Sequence, residues 1–291
     1  MQKISGKRML AFGLLAMLVV VNWFVWTSVF STMASHSLRV SIFSVGEGRA
    51  VLVQSPTGTN VLIDAGPDRT ILRALSQRLG PLNRNLSLVI QTTPSDSALG
   101  GMPPVFNRYS PMVFMTSGAR NNTLVSRLVA HAEGADTHLA HITARRGMRI
   151  HIGGGAVIEV LYSNKNNTLS HSKNATMVLR LAYGKTSFLF PSDVSSAVQR
   201  MLTTSVAPQL LSSNVLLVGH YGAPDSVDAG FLRKVHPSVA VISVGKNIYG
   251  YPATTTLAQL ATSGVKVVST SVRGAITFSS DGMRVQNSFE K

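Results

Sequence analysis

"QTTPSDSALGG", residues 91–101, follows the apolar run "LSLVI" (86–90) and closes on a glycine pair. A strand that runs into polar residues and then a Gly-Gly turn is where many hydrolases hold a metal. This stretch has no histidine and a single acid, Asp96. The order of elements around it decides the fold. Upstream, "LRVSIFSV" (38–45), "AVLVQSP" (50–56) and "NVLIDAG" (60–66) are short β-rich runs separated by Gly-containing turns, as in an antiparallel meander. "RTILRALSQRLG" (69–80) then places Ile71, Leu72, Leu75 and Leu79 on one helical face, with Gly80 as a stop signal.

Downstream, "PMVFMTS" (111–117) predicts a strand and "NNTLVSRLVAHAEG" (121–134) a helix. "MRIHIGGGAVIEVLY" (148–162) predicts two strands around a Gly-rich turn. Its glycines lie between strands rather than before a helix, so they form a hairpin and not a phosphate loop. The second half repeats the pattern. A hairpin about Gly184 is followed by helices at 195–204, 228–236 and 254–264, alternating with strands at 214–220 and 238–245 and closing with strands over 265–285. Two halves of this kind predict an α/β protein: a four-layer αββα sandwich with two mixed sheets face to face and helices outside.

Composition sets outer bounds. The 291 residues, 45% of them apolar and 13% charged, suit a well-buried core and exclude a disordered chain. There is no cysteine, which excludes disulfides, thiolate metal sites and cysteine nucleophiles. Met9 to Ala34 is 26 residues without a charge, preceded by Lys3, Lys7 and Arg8. About 20 apolar residues cross a bilayer, and basic residues before a span place the N-terminus inside. The expectation is a basic cytoplasmic tail (1–8), a single transmembrane anchor (9–34) and an extracytoplasmic domain (38–291). The rival is a signal peptide cleaved after Thr32-Met33-Ala34, although its apolar core would be long for one. Without the tail, 24 Lys and Arg stand against 12 Asp and Glu, a net charge of +12. Such an excess attracts polyanions, whether nucleic acid, anionic lipid or cell-wall polymer. The bland alternative is solubility, because the basic residues are scattered and "ARR" (144–146) is the densest spot.

Six segments, in order, carry a resemblance. "SVGEGRAVLVQ" (44–54), "LIDAG" (62–66), "TTPSDSALGG" (92–101), "FPSDV" (190–194), "VGHYGA" (218–223) and "ISVGKNIYGYPA" (242–253) match "DVGQGDA", "LIDGG", "THPHADHIGG", "LLTGD", "VGHHGS" and "ISVG…YGHPHP". Those motifs belong to the metallo-β-lactamase-fold domain at the C-terminus of ComEC-type DNA-internalisation (competence) proteins, which this chain resembles from about Val40 to Met283. The resemblance implies one or two divalent ions, zinc or manganese, held by histidines and carboxylates. A metal-bound hydroxide would attack a phosphodiester or similar bond.

Carried across position by position, that site is dismantled. The three histidines of "HPHADH" become Thr93, Ser95 and Ala98 and its aspartate becomes Ser97, while Pro94, Gly100 and Gly101 remain. Asp96 stands one residue away from the ligand position. The aspartates of "DVGQGDA" become Ser44 and Arg49, and the histidines of the last motif become Tyr251 and Ala253. Asp193 and one histidine, His220, persist, with Tyr221 beside the latter. Asp64 also persists, in a position that in this family more often supports the adjacent loop than binds metal. Hydroxyl side chains stay protonated at neutral pH and are poor zinc ligands. Arg49, if it points inward, adds positive charge where cations would sit.

The simpler reading of each survivor is structural. His220 can be a hydrogen-bonded residue at a sheet end, and Asp193 the N-cap of a helix beginning near Ser195. His131, His138 and His141 straddle a helix end and the next strand, away from the motifs, and read as surface residues. A Ser95–His220–Asp193 triad can be drawn, but the sequence fixes no such geometry. The expectation is therefore a membrane-anchored protein of the metallo-β-lactamase fold without catalysis. Its vestigial site comprises Thr93, Ser95, Ser97, Ala98, Asp193, His220 and Tyr251. No metal or other cofactor is expected, with Asp193 and His220 as the only relic ligands. The expected partners are the membrane, DNA and a ComEC-like channel protein. The alternatives are a residual metal-dependent nuclease acting on incoming DNA, and an envelope scaffold with no nucleic-acid role.

Overall fold

Side-chain alternation along the strands builds the layers. In the third strand Val61 and Ile63 face one apolar cluster while Leu62 faces another. In the tenth, Phe188 and Phe190 face the first cluster and Leu189 a third. A strand buried on both faces lies between two layers. The computed structural model describes residues 6–33, 37–119, 121–135, 138–164 and 176–289.

From Ser37 onward there are two sheets. The first contains β1 (Leu38–Ile42), β2 (Val51–Gln54), β3 (Asn60–Ile63), β4 (Asn85–Gln91), β5 (Ser110–Thr116), β6 (Ala140–Thr143), β14 (Ile276–Ser280) and β15 (Val285–Phe289). Its order is β15-β14-β1-β2-β3-β4-β5-β6, antiparallel as far as β3 and parallel from β3 to β6. The second contains β7 (Arg149–Gly153), β8 (Ala156–Ser163), β9 (Met177–Tyr183), β10 (Thr186–Phe190), β11 (Val215–Val218), β12 (Val239–Ile242) and β13 (Lys266–Ser269). Its order is β13-β12-β11-β10-β9-β8-β7, parallel from β10 to β13 and antiparallel beyond.

Helices cover the outer faces. On the first sheet Ile71 and Leu75 of α2 (Thr70–Leu79) bury against Leu62 and Val89. The same cluster takes residues from α3 (Asp96–Leu99), α4 (Met102–Arg108) and α5 (Leu124–Ala135). On the second sheet α6 (Ser196–Ser205), α7 (Pro208–Leu211), α8 (Ala229–Val235) and α9 (Thr254–Thr262) enclose Leu216, Val218 and Ile242. The short α10 (Thr270–Arg273) follows β13. The cluster between the sheets is almost wholly β-derived, with Phe188 and Phe278 meeting edge to face at 5.9 Å. This is the expected αββα sandwich. Side chains cap two helices: Ser195 accepts from Val198 N and Asp228 from Phe231 N. Asp193 caps no helix, which corrects that reading.

The N-terminal unit, up to His36, holds helix α1 (Gly6–Met33), and residues 1–5 of the expected basic tail lie outside the described residues. Its side chains from Phe12 to Trp26 stand exposed and are apolar all round rather than on one face. Among the described residues no helix is long and apolar enough to cross a membrane. A helix thus stands where the transmembrane anchor was expected, and its crossing is not among the features found.

Candidate functional site

The C-terminal ends of the parallel strands in both sheets open at one end of the sandwich, where α/β sheets commonly place their sites. Strand β3 delivers Asp64, β4 delivers Thr92 and the 93–98 loop, β10 delivers Ser192 and Asp193, and β11 delivers His220. The β1–β2 connection brings in Arg49.

Arg49 points inward. It is 7% exposed, and its planar guanidinium sits between carboxylates from the two sheets. Nε donates to Asp64 Oδ2 at 3.1 Å and one terminal nitrogen to Asp193 Oδ1 at 2.9 Å. The other donates to Ser192 Oγ at 3.0 Å and Asp193 Oδ2 at 3.4 Å. Thr92 completes the cluster. Its backbone N–H donates to Asp64 Oδ1 at 2.8 Å and its hydroxyl to Asp64 Oδ2 at 2.6 Å, with Ser192 Oγ 2.7 Å from the same hydroxyl. Asp193 also accepts from the backbone N–H of His220 at 2.9 Å, and His220 Nε2 lies 2.9 Å from the Asp193 carbonyl oxygen.

Electrostatics follow from this packing. Burial works against the charge on Arg49, yet Asp193 and Asp64 hold its pKa above the ordinary guanidinium value. Burial also works to raise Asp193, but the Arg49 charge and hydrogen bond hold its carboxyl down at about 2. Burial pushes Asp64 up, opposed by Arg49 and the Thr92 donors. Tyr221 is raised by burial too, against the nearby Arg49 charge. Four of the six described non-glycine residues at positive φ are here: Asp64 (55°), Ser192 (55°), His220 (46°) and Tyr221 (57°). Left-handed backbone at ordinary residues concentrates at functional sites because the surroundings must hold it there.

The glycines retained around the cluster have a packing reason. A Cβ on Gly100 would collide with the Pro67 carbonyl, one on Gly101 with the Ala65 carbonyl, and one on Gly219 with the Ser192 carbonyl. A Cβ on Gly48 would lie 2.7 Å from the Ser97 carbonyl oxygen. The glycine pair of the 91–101 stretch lets the α3–α4 junction close against the loop after β3, with Gly101 N–H donating to Gly66 O at 3.0 Å.

The structure therefore brings Thr92, Asp193 and His220 together with Arg49 and Asp64. Thr93 is buried beside them. Ser95 and Ser97 bond each other at 3.1 Å, and buried Ala98 ties its carbonyl to Ala65 N–H at 2.9 Å. Asp96 turns outward and accepts from Thr123 Oγ1 at 2.7 Å. Tyr251 stacks on Tyr249 at 5.5 Å and, with Tyr221, packs against the helix-facing core of the second sheet. The Ser95–His220–Asp193 triad is not formed, because Ser95 bonds Ser97 and the His220 ring meets a backbone carbonyl. His141 instead approaches Glu133 at 2.8 Å. Among the described residues no three His, Cys, Asp or Glu converge as a metal site.

Two partners escaped the sequence reading. Ser192 and Thr92 lie inside the matched segments but at none of the ligand positions, and only an inward Arg49 gives them a role. The available signal was charge complementarity: a cation gained at residue 49 while the acids at 64 and 193 stayed. These residues do not fit a two-metal centre. A fixed positive charge fills the space between the surviving carboxylates, and each of their four oxygens already accepts at least one hydrogen bond.

The architecture defines a class, the metallo-β-lactamase fold. Zinc-bound PqqB from Methylobacterium extorquens superposes with a TM-score of 0.54 at 11% identity, covering 79% of this chain and 97% of that one. YhfI of Bacillus subtilis, a metallo-β-lactamase-fold protein, gives 0.51 at 10% identity over 79% and 95%. Sequence relatives narrow the class: similarity to three curated proteins supports a ComEC-type domain of this fold. It is 30% identical over 117 residues to competence protein ComA of Neisseria gonorrhoeae, covering 40% of this chain and 16% of that protein. It is 24% identical over 270 residues to recombination protein 2 of Haemophilus influenzae, covering 90% of this chain and 32% of that protein. ComE operon protein 3 of Bacillus subtilis matches at 29% over 106 residues, 36% of this chain and 13% of that protein. The chain thus spans at most about a third of the length of these relatives. No family model matches it.

Proposed function

We propose that this chain is a membrane-anchored, non-hydrolytic relative of the ComEC-type domain that holds DNA, or docks to a channel partner, outside the membrane. The observation that carries the non-hydrolytic reading is the Arg49 guanidinium bridging Asp64 and Asp193 at 3.1 and 2.9 Å. A side-chain cation there takes the Asp193 carboxylate, the one acidic ligand a catalytic ion would still find. The competence and recombination proteins among its relatives support the DNA-related role. The 26-residue uncharged run after Lys3, Lys7 and Arg8 supports the anchor, with the N-terminus inside and the main domain extracytoplasmic.

The test is metal analysis of the purified full chain, together with a nuclease assay in added zinc or manganese. The expected outcome is substoichiometric metal and intact DNA. One zinc or manganese per chain, or cleavage lost in His220→Ala, would replace this reading with that of a residual nuclease.

A further inference from the structure

The chain carries a second feature, apart from the Arg49 cluster, that the family motifs touch only at Ser44. Helix α2 shows Thr70, Arg73, Ala74, Gln77 and Arg78 at spacings of three and four residues, which puts them on one face. The opposite face is anchored by Ile71 and Leu75, so the cationic stripe is fixed by the core rather than left to a mobile loop. Across from it, almost 200 residues later in the chain, α10 and the turn after it present Arg273. Between the two lies a cleft of about 1030 Å³, lined also by Phe43 and Ser44. Among the described residues, three arginines line it and no aspartate or glutamate does. Arg73 and Arg273 are exposed, and Arg73 has no hydrogen-bonding partner among the described residues. Arg78 donates to Thr277 Oγ1 at 2.6 Å, which holds its side chain along the cleft wall.

We propose that this cleft is where the chain grips a nucleic-acid strand by its phosphates, a proposal that rests on the DNA-holding reading above and gives it a surface. Guanidinium groups match phosphate oxygens in planar pairs, and the hydroxyl and amide groups of Ser44, Thr70 and Gln77 are suited to the same oxygens. Three guanidinium groups around one recess give it a positive potential that draws a polyanion. A flexible strand can enter a recess that a flat anionic bilayer cannot follow.

The experiment uses the full chain in detergent micelles and a fluorescent single-stranded oligonucleotide of about 20 nucleotides, with anisotropy read from 50 to 200 mM salt. The variant Arg73→Glu/Arg273→Glu is compared with Lys185→Glu/Lys266→Glu, which makes the same change in net charge at exposed sites outside the cleft. The cleft variant is expected to bind about tenfold or more weakly at 50 mM and to lower the log–log salt slope by about 1.4, near 0.7 per lost contact. The control is expected to stay within about threefold of the unmodified chain. Equal losses in both variants, or no loss in the cleft variant, overturn the cleft while leaving DNA binding in place. An unmodified chain that binds no oligonucleotide at 50 mM overturns both readings. Arginine-dependent capture by phosphatidylglycerol vesicles in place of DNA reassigns the cleft to lipid.

Discussion

A guanidinium offers five N–H donors in one plane and keeps its proton throughout the accessible pH range. At Arg49 those donors meet Asp64, Asp193 and Ser192, so removing the side chain leaves two buried carboxylates facing each other. Breaking a buried pair from one side costs about 3–5 kcal/mol, and Arg49→Ala is expected to lose that much in urea unfolding. Arg49→Lys keeps the charge without the planar fork and should fall in between. The acids can be separated by pH. The folded-state carboxyl of Asp193 lies at about 2 against an ordinary 3.8, so the folded chain binds fewer protons than the unfolded chain in that interval. Its contribution is complete above the ordinary value and is lost as pH falls towards 2. Asp64, raised by burial, acts in the opposite sense, because its contribution falls as pH rises past the ordinary carboxyl value. The melting-temperature gap between the unmodified chain and Asp193→Asn should therefore be widest near neutral pH and close as pH drops from about 4 towards 2. A gap that stays constant over that range would separate Asp193 from Arg49.

At the scale of elements, the 91–101 stretch keeps its shape for packing. Gly101→Ala drives a methyl into the Ala65 carbonyl and is expected to cost about 1–3 kcal/mol or to prevent folding. Gly134, inside α5 with nothing within 4 Å of its missing Cβ, gives the opposite result: Gly134→Ala should gain about 0.5–1 kcal/mol. Thermal unfolding followed by circular dichroism reads both. The strands were legible as short β-rich apolar runs between turns, and the longer helices by an apolar period of 3.6. Helices α3 and α4 were not. Gly100-Gly101 and Pro103-Pro104 read as breakers, yet a proline in the first helical turn gives up no hydrogen bond. The loss of ligands at Thr93, Ser95, Ser97 and Ala98 was legible one residue at a time. The inward turn of Arg49 was not, because a loop side chain's direction depends on acids 15 and 144 residues away.

Across the whole molecule, the two sheets are joined at both ends of their shared core. At one end Thr186 Oγ1 meets Ser280 Oγ at 2.6 Å, and Lys185 N–H donates to Gly282 O at 2.6 Å. At the other, Met177 N–H donates to Thr92 O at 2.8 Å and Ser243 Oγ to Gly48 O at 3.0 Å, with Arg49 holding an acid from each sheet. A joint made from a dissociable ion is only as durable as the supply of that ion, and linkage makes stability follow its free concentration. A joint made from a covalently attached cation has no such dependence. Exhaustive dialysis against a chelator should leave the unfolding temperature of this chain unchanged, whereas a fall of several degrees would place an ion in the joint. On the non-hydrolytic reading proposed above, the arginine frees the assembled sandwich from the metal content of whatever compartment it faces.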